Sequence, residues 1–96
     1  MNEYILFIQG NEKTSTTADE WDRFFTSARE SGVFRGGSEI GKRETVGDRQ
    51  LARSSEHIVG YMRFDSADKQ VLLELLKKHP VVLHGGSVEL CELPKS

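Results

Sequence analysis

A ferredoxin-like α+β sandwich, built as strand-helix-strand twice over on one antiparallel sheet, is the fold class that this sequence predicts. The first observation is a repeat: the Gly-Gly-Ser of residues 36–38 recurs 49 residues further along, at residues 85–87. The second is that each copy follows a helix-like stretch and precedes a strand-like one. Self-similarity at this spacing indicates two copies of one supersecondary unit. With right-handed crossovers the two halves interleave, which places strands one and three side by side.

The first half begins with a strand at residues 4–9, a β-branched and aromatic run that is closed by a turn. Thr17 followed by Glu20 is typical of a capping box, in which each side chain accepts a hydrogen bond from the other residue's backbone N–H. The helix that starts there has its apolar residues on one face, at Trp21, Phe24, Phe25 and Ala28. Gly32 provides the left-handed conformation that ends many helices.

The middle of the chain is predicted to form a strand, a connection and a strand. Residues 33–46 hold the second strand, which starts near the first Gly-Gly pair, and Gly47 with Asp48 is a turn signal. Residues 49–55 are polar and are interpreted as a loop or as the returning arm of a small hairpin. Residues 57–64 form the third strand, which is apolar on both alternating faces.

A second helix and a fourth strand complete the second half. Asp65 and Ser66 are predicted to cap the helix. Pro80 is predicted to stop it, because the residue before a proline resists the helical conformation. The buried stripe of this helix is expected at Val71, Leu72, Leu75 and Leu76. Residues 87–93 are the fourth strand.

Alternation along the two central strands assigns their side chains to two faces of the sheet. The face covered by both helices is expected to carry Tyr4, Leu6, Ile8, Ile58, Gly60, Met62 and Phe64. The opposite face is expected to carry Ile5, Phe7, Gln9, His57, Val59, Tyr61 and Arg63. The inverse assignment stays open at this point. Because contiguous apolar patches mark interfaces, we expect a homodimer whose sheets lie face to face and close a barrel-like interior.

Length, charge and cysteine content limit the classes of function. Ninety-six residues make one domain, residues 1–96, and a net charge of −2 without a basic stripe argues against binding to nucleic acid. The single cysteine, Cys91, cannot form an internal disulfide. The N-terminal residues lack a basic segment followed by a long apolar run, and no apolar stretch approaches about 18 residues. A cytoplasmic protein without a signal peptide or a membrane-spanning segment is therefore expected.

Polar side chains on the face away from the helices are candidates for a ligand site. The alignment of the two halves places Gln9 opposite Arg63 and Phe7 opposite Tyr61, with His57 on the same strand. A histidine near neutral pH can act as a general base, and an arginine can bind a carboxylate or a phosphate. The same residues can instead bridge the dimer seam by satisfying one another.

Other polar residues are weaker candidates. Ser38 lies beside the first Gly-Gly pair, where backbone amides can bind an anion, although glycines there also allow a tight entry into the strand. His79, His84 and Cys91 are residue types that bind zinc, but no pair of them has a familiar spacing. No metal site and no cofactor are therefore predicted.

Several short motifs follow one another at a spacing similar to that of a known family. They are Tyr4-Ile5-Leu6-Phe7-Ile8-Gln9-Gly10, Trp21, Phe24, Ser31-Gly32, Arg35-Gly36-Gly37, Gly60-Tyr61, Asp65-Ser66, His79-Pro80 and Gly86-Ser87-Val88-Glu89. Their order resembles the YCII-related proteins, in particular the DGPF-type branch. The resemblance implies a ferredoxin-like sandwich that dimerises through its sheet, as in the dimeric α+β barrel superfamily. The Asp-Gly-Pro-Phe segment and the His–Asp pair of the founding YCII proteins are not matched.

Three functions from different classes stay open from the sequence. The first, which the resemblance favours, is a homodimeric YCII-like domain that binds a small organic molecule in a cleft between the sheet and its partner. The second is a cofactor-independent enzyme, such as an isomerase, a lyase or an oxygenase, with His57 as base and with Tyr61 and Arg63 orienting the substrate. The third is a non-catalytic regulatory or interaction module linked to transcription, by analogy with relatives.

Overall fold

The strands and helices of this protein are described by a computed structural model for residues 2–95. They are, in chain order, β1 Asn2–Ile8, α1 Ala18–Glu30, β2 Phe34–Glu39, β3 Gly60–Ser66, α2 Lys69–Leu76, α3 Pro80–Leu83 and β4 Val88–Leu93. Within these residues the architecture is α+β, with one open antiparallel sheet of four strands and three helices. The predicted order of strands and longer helices is confirmed, while α3 is an element that the sequence pattern does not predict.

The sheet has the strand order β2-β3-β1-β4. β1 pairs antiparallel with β3 on one side and with β4 on the other, and β2 pairs with β3. The two central strands are therefore β1 and β3, as the interleaving of two strand-helix-strand halves predicts. This topology is compatible with a ferredoxin-like fold.

The core lies between the sheet and the helices. Tyr4, Leu6 and Ile8 of β1 are buried, and Met62 and Phe64 of β3 pack in the same cluster. The predicted assignment of side chains to faces is therefore confirmed for residues 4–8 of β1 and 60–64 of β3, whereas Gln9 and residues 57–59 lie outside these strands. Burial of apolar surface, at about 25 cal/mol for each Å², is the main favourable term that holds the helices on the sheet.

Helix α1 begins and ends as the sequence predicts. The hydroxyl of Thr17 accepts a hydrogen bond from the backbone N–H of Glu20 at 3.2 Å, and the Glu20 carboxylate accepts one from the backbone N–H of Thr17 at 2.9 Å. Phe24 and Ala28 are the buried residues of its apolar face. Gly32, with φ of 77°, follows the helix in the left-handed conformation.

The second and third strands are shorter at their connection than predicted. β2 ends at Glu39 and β3 begins at Gly60, so the expectation of strand over residues 40–46 and 57–59 is wrong. Pairing stops where Ile40 N donates to Val59 O at 3.0 Å, and residues 41–57 are exposed. An isolated two-stranded arm with no apolar surface to cover is marginal in water. As a result, His57 lies in an exposed turn and not on the sheet.

The second helix starts later than predicted and is followed by a third. The predicted cap at residues 65 and 66 is wrong because β3 continues through Ser66, which is buried. Asp68 is instead the N-cap of α2, and its carboxylate accepts a hydrogen bond from the backbone N–H two residues on, at 2.9 Å. α2 ends before Pro80, which opens α3 as its first residue, with His79 as the N-cap.

The buried stripe of α2 is narrower than predicted. Leu72 and Leu76 are buried, and Leu75 is partly buried against the core. Val71, by contrast, is 55% exposed. A helix of eight residues has only about two turns, so a single i, i+4 row is enough to pack it on the sheet.

The repeated Gly-Gly-Ser segments have structural roles in both halves. A Cβ on Gly37 would lie 2.2 Å from the carbonyl oxygen of Tyr61, and a Cβ on Gly86 would lie 2.7 Å from Cγ1 of Val81. Close packing therefore requires glycine at both positions. The second pair precedes β4 as the repeat predicts, whereas the first lies inside β2 at a shift in register, so its predicted place at the strand entry is wrong.

Candidate functional site

The face of the sheet away from the helices brings together some of the predicted site residues. This surface, called the open face below, is formed at strand positions by Glu3, Ile5, Phe7, Ser38, Tyr61, Arg63, Asp65, Glu89, Cys91 and Leu93. Phe7 pairs with Tyr61, as predicted, and Ser38 pairs with Tyr61 from the other side. Two of the five candidate side chains, Ser38 and Tyr61, are therefore direct neighbours.

The other candidates do not converge. The antiparallel register places Ile5 opposite Arg63, so the prediction that Gln9 faces Arg63 is wrong. Gln9 follows the last residue of β1, whereas Arg63 pairs with Ile5 in the middle of that strand. His57 lies in the exposed turn before β3, so it does not share the sheet surface with Tyr61 and Arg63.

The centre of the open face is apolar. Ile5, Phe7, Tyr61 and Cys91 are all only partly buried there. Burial raises the pKa of the Cys91 thiol, and the neighbouring Glu89 raises it further. Since the thiolate is the nucleophilic form, Cys91 stays protonated at neutral pH and packs as a small apolar side chain.

Charged residues surround this apolar centre. Arg63 is exposed, and Glu3, Asp65 and Glu89 provide negative charges on the same face. The Oδ1 atom of Asp65 is fully buried and accepts no hydrogen bond from the described part of the chain. Leaving a buried polar atom without a partner costs about 1–3 kcal/mol.

An apolar cleft of about 530 Å³ lies on the other side of the sheet, between α1 and the facing ends of β2 and β3. Its apolar walls come from Ile8, Trp21, Phe25, Met62 and Val81. Among residues 2–95, the charged residues in its lining are Glu12 and Glu39. Ser38 and Tyr61 also border the cleft, although the register places their side chains toward the open face. The sequence does not identify this cleft, because its lining comes from five elements, β1, α1, β2, β3 and α3.

Trp21 is a fixed wall of the cleft. Its indole Nε1 donates to Thr16 Oγ1 at 2.9 Å, and its ring centroid is 5.9 Å from that of Phe25. The imidazole of His79 packs against it at 4.9 Å with the two planes nearly perpendicular. These contacts fix the orientation of the indole, so the wall is formed before any ligand binds.

His79 supports this wall from inside the core. Its side chain is completely buried, and burial lowers its pKa to about 4. Nδ1 accepts a hydrogen bond from Val81 N at 3.2 Å, so the proton of the neutral ring is on Nε2. Within residues 2–95, Nε2 has no hydrogen-bond partner, and the ring of Phe24 lies 4.7 Å from the imidazole.

A chain of hydrogen bonds lies beside the cleft. Thr14 Oγ1 is 2.6 Å from His84 Nδ1, and His84 Nε2 is 2.6 Å from Glu20 Oε2. The hydrogen bond from His84 lowers the pKa of the Glu20 carboxyl; partial burial opposes this change, and hydrogen bonds from Thr17 add to it. Sequence reasoning misses the group, because its members have no common periodicity and His84 is 64 residues from Glu20.

Residues 2–95 contain neither a metal-binding cluster nor a membrane-spanning helix. Within residues 2–95, no group of three or more His, Cys, Asp or Glu side chains is placed to hold a metal ion. Among the same residues, no helix is long and apolar enough to cross a membrane. No protein-family model matches the chain, and no curated protein matches it significantly.

Proposed function

We propose that this chain is a homodimeric domain that binds a small organic molecule in the cleft between α1 and the sheet. The observation that carries the proposal is the cleft itself, about 530 Å³ in volume, with apolar walls and two carboxylates. Sites for small ligands are concave, largely apolar and equipped with a few polar groups. Membership of the YCII-related family, with a ferredoxin-like fold and a dimeric α/β barrel, is part of the proposal and is supported by the strand order.

The charges of the cleft favour a cationic ligand over an anionic one. Glu12 and Glu39 are negative, and the lining contains no lysine or arginine. The face of Trp21 attracts organic cations, an interaction of about 0.5–2 kcal/mol. The ring of Phe25 already has the Arg29 guanidinium 5.8 Å from its centroid. Arg63, which an anionic ligand would use, lies on the open face. The ligand class that fits the cleft is an amine with an apolar or aromatic body.

Calorimetric titration with two probes of matched size, 2-phenylethylamine and 3-phenylpropionate, tests this ligand class. The amine should bind and the carboxylate should not. Glu12→Gln and Glu39→Gln should each weaken amine binding by about tenfold, the loss of one charge-assisted contact. Glu44→Gln, on the exposed connection, is the control and should bind as the wild type does. Preferential binding of the carboxylate, or unchanged amine affinity in both cleft variants, would contradict the proposal.

The occupant proposed for the open face is a second copy of the chain. A two-fold interface joins the same surface on both subunits, so it must be self-complementary. The apolar centre of the open face, around Phe7 and Tyr61, supports such an interface, and Arg63 of one copy can pair with a carboxylate of the other.

Light scattering at micromolar concentration tests the dimer. The wild type should have twice the 10.8 kDa mass of the chain. Phe7→Glu places a charge in the apolar centre of the open face and should yield a folded monomer. Val71→Glu adds the same charge at a position that is 55% exposed on α2, so it should remain dimeric. A monomeric wild type, or dissociation by both substitutions alike, would be evidence against this interface.

A further inference from the structure

Three side chains from separate segments form the hydrogen-bonded chain beside the cleft. Thr14 belongs to the loop between β1 and α1, Glu20 to the first turn of α1, and His84 follows α3. An ionised carboxylate can only accept hydrogen bonds, so Glu20 fixes the imidazole proton on Nε2, 2.6 Å away. The lone pair of Nδ1 then faces Thr14 Oγ1 at 2.6 Å, and the hydroxyl donates to it.

Of the three hydrogen-bonded side chains, the hydroxyl is exposed and the other two are mostly buried, as a nucleophilic site requires. Thr14 is exposed, whereas the side chains of His84 and Glu20 are only 22% and 20% exposed. The second carboxylate oxygen of Glu20 accepts from Thr17 N at 2.9 Å, which holds Oε2 toward the imidazole. Lys13 N donates to the carbonyl oxygen of His84 at 2.8 Å, so the loop that carries the hydroxyl is also held by its backbone.

We propose that Thr14 is a nucleophile for acyl transfer, with His84 as its general base and Glu20 as the residue that orients the imidazole. A hydroxyl bonded to an imidazole that is itself bonded to a carboxylate is the arrangement that activates a nucleophile. In the first step Thr14 Oγ1 attacks the carbonyl carbon of an ester while its proton moves to His84 Nδ1. That proton passes to the departing alkoxide, which leaves as an alcohol. Water then releases the acid, and His84 takes up and returns the proton of that water.

The surroundings of Thr14 favour a small ester whose apolar part faces the cleft. Glu12 lines both the cleft and a surface depression of about 430 Å³ formed around Thr14, so the two adjoin. An acyl group on Thr14 would lie in a depression that shares Glu12 with the cleft. This assignment of the acyl group rests on the proposed ligand site, whereas the nucleophile does not.

Acetylation by p-nitrophenyl acetate, with peptide mass spectrometry to locate the acetyl group, tests the proposal. The wild type, quenched within the first turnover before water releases the acid, should carry the acetyl group on Thr14. Thr14→Val should remove this adduct, Thr14→Ser should retain it, and Ser15→Ala should leave it unchanged as the neighbouring-hydroxyl control. His84→Gln should slow acetylation of Thr14 at least about 100-fold, since a positioned base contributes about 10²–10⁴-fold.

Glu20→Gln separates a role in orientation from a role in folding. Glutamine retains the capping box with Thr17 but removes the charge that fixes the imidazole tautomer. The melting temperature should stay close to that of the wild type while acetylation of Thr14 slows at least about tenfold. Acetyl groups found on Lys13 but not on Thr14 would overturn the proposal. An unchanged total rate of acetylation in Thr14→Val, or an unchanged rate of Thr14 acetylation in His84→Gln, would also overturn it.

Binding of 2-phenylethylamine to Thr14→Val distinguishes this inference from the proposed ligand site. Retained amine binding together with lost acetylation supports the nucleophile as a separate function of the same region. Acetylation of wild-type Thr14 without amine binding also supports the nucleophile and removes only the ligand proposal. Amine binding without acetylation of wild-type Thr14 overturns the nucleophile and leaves the ligand site in place.

Discussion

His79 makes the stability of this protein depend on pH. Burial lowers its pKa from 6.5 to about 4. The unfolded chain therefore binds a proton at this residue over a range in which the folded chain does not. The sign follows: the stabilisation is complete above pH 6.5 and is lost as the pH falls toward 4. The whole difference corresponds to about 3 kcal/mol, of which about 2 kcal/mol is lost between pH 7 and pH 5.

The substitution His79→Asn isolates this contribution. The asparagine oxygen can accept the hydrogen bond from Val81 N, so α3 keeps an N-cap, but the side chain does not titrate. Urea unfolding, followed by the fluorescence of Trp21 at pH 7 and pH 5 and at one protein concentration, gives the free energy of unfolding. The wild type should lose about 2 kcal/mol more than the variant between these pH values. The constant cost of the smaller side chain cancels in this difference.

A matched control is available in the exposed histidine of the connection. His57→Gln removes a group in a solvated turn, so it should retain the pH dependence of the wild type. Glu20 does not interfere, because its pKa is lowered from 4.5 and its contribution is lost only below the tested range. An equal loss of stability in the wild type and in His79→Asn would refute the reasoning, since it would mean that the folded protein protonates His79 freely.

Two further substitutions test the packing and the capping described above. Gly37→Ala should lower the free energy of unfolding by about 2 kcal/mol, because the added Cβ would lie 2.2 Å from the carbonyl oxygen of Tyr61; Gly41→Ala, with nothing within 4 Å, is the control in the same urea titration. Thr17→Ala should lower the melting temperature through a loss of about 1 kcal/mol. Thr26→Ala, which alters a hydroxyl in the middle of the same helix, should cost clearly less, and equal costs would contradict a capping role.

The central strands and the first helix could be predicted because their sequence patterns match their final burial. Tyr4, Leu6 and Ile8 alternate with half-buried neighbours, as a strand covered on one face requires. Thr17 and Glu20 form a local motif whose two hydrogen bonds need no distant partner. Local patterns of this kind predict strands and helices without knowledge of tertiary contacts, so the fold class can be predicted from them.

The ends of β2 and β3 depend on pairing, which a local pattern does not reveal. Residues 40–46 have the polar and apolar mixture of an edge strand, yet no neighbouring strand pairs with them. The register of the sheet is also decided by pairing: in the antiparallel pair of β1 and β3, Ile5 and not Gln9 lies across from Arg63. Tertiary contacts decide such positions, and they override intrinsic strand propensity.

The candidate site was predicted least well because tertiary structure creates it. The lining of the cleft comes from α1, from the ends of several strands and from α3. Its carboxylates, Glu12 and Glu39, lie in segments without a recognisable motif. The hydrogen-bonded group joins His84 to Thr14 and Glu20, which are 70 and 64 residues away from it in the chain. Of the five residues predicted for a site, Ser38 and Tyr61 border the cleft, and the register explains why the other three do not join them.

The connection between β2 and β3 has a consequence for how this chain can change in length. Its base is closed by the hydrogen bond from Ile40 N to Val59 O at 3.0 Å, and residues 41–57 are exposed. The entropy cost of closing a loop grows only with the logarithm of its length, by about 0.6 kcal/mol for each doubling. Sequence added near Gly47 would therefore leave the ladder and the core untouched. This tip is the natural place to insert a peptide tag or a labelling site without shifting the register of the sheet.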